Sequence, residues 1–191
     1  MAAKKDTLFN MFVALFVICV VAGGVLGLVY NATKEPIATA EKAKKTEAIK
    51  NVLPEFHELK ETNVKSALED TELPFYLAYD AENNFIGAAV ETFTNKGFSG
   101  NISLMVGILA DGTIKNISVL QHAETPGLGS KMSEPTFKDQ FNDKKAETFK
   151  FNVKKDGGDV DAITAATISS RAFCDAVNRA LSTFENNKGG F

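Results

Sequence analysis

The chain has 191 residues, 45% of them hydrophobic, and a formal net charge of −3. That length accommodates one membrane element and one ordinary domain. The acidic balance argues against a broad electrostatic surface for nucleic acid, so no nucleic-acid partner is expected. Cys19 and Cys174 lie far apart, and His57 and His122 have no cysteine beside them, so neither a disulfide framework nor a metal spacing is present.

Thr7 to Thr33 contains no charged residue, and Leu8 to Tyr30 is mostly Val, Leu, Phe, Ala and Gly. A spanning helix needs about 20 apolar residues, whereas a cleavable signal has an apolar region of about 7–15. The run therefore predicts a retained transmembrane anchor, with residues 1–33 forming a short tail and that anchor. Gly23, Gly24 and Gly27 suit close packing against a partner helix as well as ordinary membrane glycine. Lys4 and Lys5 precede the run, and Lys34, Lys42, Lys44, Lys45 and Lys50 follow it, so the lysine count does not set orientation. Long C-terminal domains are translocated largely regardless of charge. The expectation is a single pass through the cell inner (cytoplasmic) membrane with the domain on the extracytoplasmic, periplasmic side.

Residues 34–73 read as a helical connector. Glu35-Pro36 opens a new helix, since proline fits a first turn. Ile37 to Val52 is rich in Ala, Lys and Glu, and Leu53-Pro54 ends it. Glu55 to Leu73 is polar, a loop with one short element. A domain is expected over 74–191. Phe75 to Tyr79 and Phe85 to Phe93 read as strands, and Asn95 to Gly100 breaks the run. Ile102, Leu104, Val106 and Ile108 alternate, and Asp111-Gly112 turns the chain into a partner strand over Thr113 to Leu120. The fold class is α+β: one N-terminal transmembrane helix, then an antiparallel sheet of four strands with flanking helices. A short helix after Glu134-Pro135 and a further strand near Phe149 to Val153 are also expected.

Two stretches carry candidate chemistry. The loop Glu124-Thr125-Pro126-Gly127-Leu128-Gly129 interrupts the strands and taken alone reads as a tight turn. Gly129-Ser130-Lys131 lacks the spacing of a phosphate loop. The second stretch, Asp161 to Ser170, has oxygen on five of its ten side chains. Phe173, Val177, Ala180, Leu181 and Phe184 follow at helical spacing. Thr164 to Thr167 thus lies near a helix N-terminus, which suits a phosphate. Equally, Thr164 or Ser169 is an N-cap. No basic partner supports a nucleophilic serine.

Asp161-Ala-Ile-Thr-Ala-Ala-Thr167-Ile-Ser resembles the flavinylation motif of the FMN-binding domain family, Asp-x-x-Ser/Thr-Gly/Ala-Ala-Thr-x-Ser/Thr. Glu124 to Gly129 is similar to that family's second signature. With the N-terminal span, the chain resembles the family's members in ion-translocating electron-transport complexes, of the Rnf type more than the sodium-pumping NADH:quinone reductase type. The resemblance implies covalent FMN, joined through its phosphate to the side-chain oxygen of Thr167, with Thr164, Ala165, Ala166 and Ser169 around it. A separate flavin transferase would install it from FAD, reading Asp161 as part of the motif. Glu124, Thr125, Pro126, Gly127, Leu128 and Gly129 would lie against the flavin. Ala165 departs from the Gly that the family often has there. The implied function is electron relay beside other membrane subunits, in a ferredoxin:NAD oxidoreductase complex or its sodium-pump relative. A non-redox assembly module and a free-standing flavin reductase are the competing readings. The chain is expected to be an electron-transfer component rather than a stand-alone enzyme.

Overall fold

A computed structural model describes residues 7–191. Lys4 and Lys5, the lysines that precede the apolar run, lie outside the described residues. The chain divides into two units, one ending at Ala43 and one spanning Lys44–Phe191.

The first unit is helical. Helix α1 runs Leu8–Val52 without interruption, with Pro36 inside it. The expected break at Glu35-Pro36 is therefore absent. Proline removes only its own N–H and one intrahelical bond. The carbonyl that loses its partner is that of Ala32, and the turns on either side continue, with the Thr33 and Thr39 hydroxyls donating to the Val29 and Glu35 carbonyls at 2.9 Å. The described apolar side chains of this unit, such as Phe9, Phe12, Leu26 and Leu28, are exposed. Among the described residues this is the one helix long and apolar enough to cross a membrane. An apolar surface of that kind is stable against lipid and unfavourable against water.

The second unit is built on one antiparallel sheet with strands in chain order: β1 Glu58–Lys65, β2 Glu72–Tyr79, β3 Phe85–Gly97, β4 Gly100–Leu109 and β5 Ile114–His122. The sheet thus has five strands rather than four. The additional strand β1 pairs Glu58 with Tyr79 through Lys65 with Glu72. Its sequence, ELKETNVK, is almost wholly exposed apart from Val64. An edge strand needs no apolar alternation, and its lysines protect the edge from further pairing. Nor does the run break at Asn95: β3 continues to Gly97, which pairs with Gly100 across a two-residue turn of Phe98 and Ser99.

Helix α3, Thr167–Asn187, covers one face of the sheet. Phe173, Val177, Ala180, Leu181 and Phe184 pack with Val90, Leu104, Val106 and Ile108 in the main core. Helix α2, Pro135–Lys138, is the short helix expected after Glu134, with Pro135 in its first turn. Phe137 and Phe141 meet Phe173 at centroid distances of 5.2 and 5.0 Å, in edge-on and tilted geometry respectively. No strand forms over 149–153; only a bridge links Val153 to Val160, because this segment turns inward to bury Phe151 and Val153 instead of pairing along the sheet.

The opposite face of the sheet is covered by the last turns of α1. Ala48, Ile49, Val52 and Leu53 pack on Ala78, Ala89, Met105 and Leu120. A Cβ on Gly107 would lie 1.9 Å from the Val52 carbonyl oxygen, so only glycine permits this approach. The Asn116 amide donates to the Asn51 carbonyl at 2.9 Å, Lys44 donates to the Leu120 carbonyl, and Lys45 pairs with Glu91 at 2.9 Å.

Candidate functional site

Helix α3 begins at Thr167, and its N-cap is Ala166, with no side-chain capping bond. Neither Thr164 nor Ser169 caps it. The first backbone bond into the helix is donated by Ser170 to the Ala166 carbonyl at 3.0 Å. The amides of Thr167, Ile168 and Ser169 precede that bond and form the free, electropositive end of the helix. The Ser170 hydroxyl is committed elsewhere: it donates to the Ala166 carbonyl at 3.0 Å and accepts from the Ile163 amide at 2.9 Å. Those bonds fold residues 163–166 into the turn that delivers Thr167. Ala165 holds φ +61 within it, in the left-handed region that favours glycine.

The Thr167 side of this turn faces a cleft of about 310 Å³, lined by Phe98, Glu124, Thr125, Leu128, Gly129, Ala165, Ala166, Thr167, Ile168 and Ser169. Thr167 is half-buried there. The structure therefore brings most of the Glu124 loop and the Thr167 turn to one place, although about forty residues separate them in sequence. Pro126 and Gly127 are exposed and lie outside the lining; Gly127 has φ +74 and donates to the Ser130 hydroxyl at 2.9 Å, closing the loop. Thr164 and Asp161 line a different depression, with Lys131, Glu134 and Gln140. There Lys154 Nζ donates to Asp161 at 2.8 Å, and the Gln140 side chain bonds both the amide and the carbonyl of Asp161.

Glu124 ties the cleft together. The residue is 4% exposed, accepts the Ser169 hydroxyl at 2.5 Å through Oε2, and accepts the Ser99 amide at 2.9 Å through Oε1. One carboxylate thus joins the β3–β4 turn, its own loop and the first turn of α3. Burying such a group is favourable only when its oxygens are satisfied. Gly129 makes the closure possible, since a Cβ there would lie 2.5 Å from Ser169 Oγ and 2.6 Å from Glu124 Oε2. His122 Nδ1 accepts the Glu124 amide at 3.2 Å and is not part of the lining.

Arg171 clasps Asp156 with two bonds, at 2.7 and 2.6 Å, and this contact holds the Asp156 carboxyl below its ordinary range. No Lys or Arg is among the described residues lining the cleft. Burial pushes the Cys174 thiol up to about 12, so it stays protonated at neutral pH and is unsuited to thiolate chemistry.

The FMN-binding domain family matches residues 97–182, a span that contains Phe98, Glu124 and Thr167. The G subunit of the ion-translocating oxidoreductase complex of Methanosarcina acetivorans is 36% identical over 185 residues, covering 94% of this chain and 96% of that protein. The chain belongs to the family of these G subunits. Within it, the G subunit of the Na(+)-translocating ferredoxin:NAD(+) oxidoreductase complex of Acetobacterium woodii is 30% identical, covering 93% of this chain and 92% of its own length. The crystal structure of the C subunit of the Na(+)-translocating NADH-quinone reductase from Parabacteroides distasonis aligns with a TM-score of 0.50 and 22% identity. That alignment covers 63% of this chain and 64% of the other, and it establishes the likeness of fold.

The residues of the cleft suit an FMN. Uncapped amides at the start of a 21-residue helix offer a phosphate its hydrogen bonds, and the small Ala165 and Ala166 leave room beside Thr167. The apolar faces of Phe98, Leu128 and Ile168 suit a planar aromatic ring system. Phe98 had no signal in the sequence, where it reads as one residue of a polar turn; only its place on the cleft reveals it.

Proposed function

We propose that this chain is the flavoprotein component of an Rnf-type, ion-translocating ferredoxin:NAD oxidoreductase complex, and that Thr167 carries its FMN through a phosphoester bond. The observation that carries this reading is the placement of Thr167 at an uncapped helix N-terminus on the cleft shared with the Glu124 loop. Thr167 Oγ1 would hold the phosphate, and the amides of Ile168 and Ser169 would neutralise it where no lysine or arginine lines the cleft. A covalent link replaces the affinity that such a cation would have provided. A threonine hydroxyl is a weak nucleophile at neutral pH, and the carboxylate lining the cleft, Glu124, is engaged by Ser169 and Ser99. Both facts fit installation by a separate flavin transferase. Asp161 and Thr164, displayed together on the neighbouring depression, are accessible for that enzyme to read.

FMN supplies one- and two-electron redox chemistry when bound; the protein positions it and sets its surroundings. Glu124 to Gly129 would border the ring system, with Leu128 exposed toward it and Gly129 allowing the close packing beneath. The apolar helix anchors the chain in the membrane, beside the other components of the complex. The domain would face the extracytoplasmic side, where a tethered flavin cannot diffuse away.

Expression of the full chain with a flavin transferase tests the assignment. The denatured protein should fluoresce as a flavin in a gel, and Thr167→Val should abolish the signal. Fluorescence retained by Thr167→Val would refute the attachment site.

A further inference from the structure

We infer that Phe98, on the β3–β4 turn, is an aromatic wall for the flavin ring and holds that ring against Leu128 and Ile168; the inference rests on the proposed attachment of FMN at Thr167. Five large apolar side chains of residues 44–191 are exposed: Leu59, Leu68, Phe98, Leu128 and Ile168. Three of the five, Phe98, Leu128 and Ile168, line the cleft into which Thr167 opens. Phe98 is the most exposed of them, at 68%. Nothing in the turn itself asks for phenylalanine, since two-residue connections favour Gly, Asn or Asp. The turn closes instead through Gly100, at φ +110.

Nor is Phe98 on a free loop tip. The amide of the next residue, Ser99, donates to Glu124 Oε1 at 2.9 Å, and Glu124 Oε2 takes the Ser169 hydroxyl at 2.5 Å. Gly97, just before it, is the residue that lets the carboxylate approach, because a Cβ there would stand 2.8 Å from Glu124 Oε1. A single carboxylate thereby holds the Phe98 turn in register with the first turn of α3, where Thr167 lies. A planar aromatic ligand tethered at Thr167 enters the same cleft, and an aromatic side chain presents it with a face on which to stack.

The test uses the full chain, loaded by a flavin transferase and purified in detergent, with flavin emission read before and after denaturation. An indole in contact with an excited flavin passes it an electron, which then returns, so the light is lost without net chemistry. Native emission of Phe98→Trp should fall about fivefold or more relative to the unsubstituted chain, since stacked rings sit within about 4.5–7 Å. Phe98→Tyr should quench in the same direction. Leu59→Trp, on β1 at the other end of the sheet, should leave emission unchanged. Emission should recover in both Phe98 variants on denaturation. A loaded chain whose native emission is the same with Phe98→Trp as without overturns the wall alone. A chain with no flavin after denaturation overturns the attachment and the wall together.

Discussion

Replacing Ser169 with alanine removes one hydroxyl from the carboxylate that joins three parts of the site. Glu124 is 4% exposed, so the oxygen released by Ser169→Ala has no ready access to solvent. Its other oxygen keeps the Ser99 amide at 2.9 Å. A hydrogen bond to a charged group contributes about 1.5–3 kcal/mol, and an unsatisfied buried partner costs the same order. For a domain of this size that corresponds to a fall in Tm of about 3–12 °C. Thermal unfolding of the full chain, followed by circular dichroism in the sheet and helix region, measures it. A double-mutant cycle with Glu124→Gln should return a coupling of about 0.5–3 kcal/mol, as expected for residues in direct contact. A Ser169→Ala change within about 0.5 kcal/mol of the parent, the range of ordinary surface substitutions, would refute the stabilising role of the Ser169–Glu124 bond.

Ala165→Gly should raise stability, because relief of a left-handed alanine, about 1–2 kcal/mol, outweighs the added chain entropy of about 0.5–1 kcal/mol. The expected net gain of up to about 1.5 kcal/mol corresponds to a rise in Tm of up to about 6 °C by calorimetry; a lower Tm would contradict the backbone geometry. Gly107→Ala should destabilise the chain by about 1–3 kcal/mol or more in urea titration, since its Cβ would meet the Val52 carbonyl. Asp111 is held down to about 2 by Lys145, with Thr113 adding to it, against an ordinary value of 3.8. Its folded pKa is depressed, so its contribution is fully present above about pH 4 and is lost as pH falls toward 2. The Tm difference between the parent and Asp111→Asn should therefore shrink over that window. A difference that grows on acidification would contradict the assignment.

The main elements were legible because their patterns are strong. Leu8 to Tyr30 is uniformly apolar, Ile102 to Ile108 alternates, and Phe173 to Phe184 keeps a helical period. Edge strand β1 was not, since Val64 is its one buried side chain and its pairing partner lies across a turn. Pro36 suggested a helix start, yet α1 runs through it, losing only the one intrahelical bond that the missing N–H would have made. At the site, Thr167 and the Glu124 loop stood out through a motif resemblance, and the fold places them on one cleft. Thr164 belongs to the same stretch, but the tight turn at Ala165 sends it to the neighbouring depression. Phe98 and the joint role of Glu124, Ser99 and Ser169 depend on contacts between the β3–β4 turn, the loop after β5 and α3, which no local pattern encodes.

Peptide mapping by mass spectrometry tests the central claim most directly. The chain is expressed with a flavin transferase, digested, and the peptide containing Asp161 to Ser170 is fragmented to place any added mass. The account predicts an increase equal to FMN less one water, located on Thr167 and absent from Thr164, Ser169 and Ser170. An unmodified peptide, or the same mass located on one of those neighbouring hydroxyls, would contradict it.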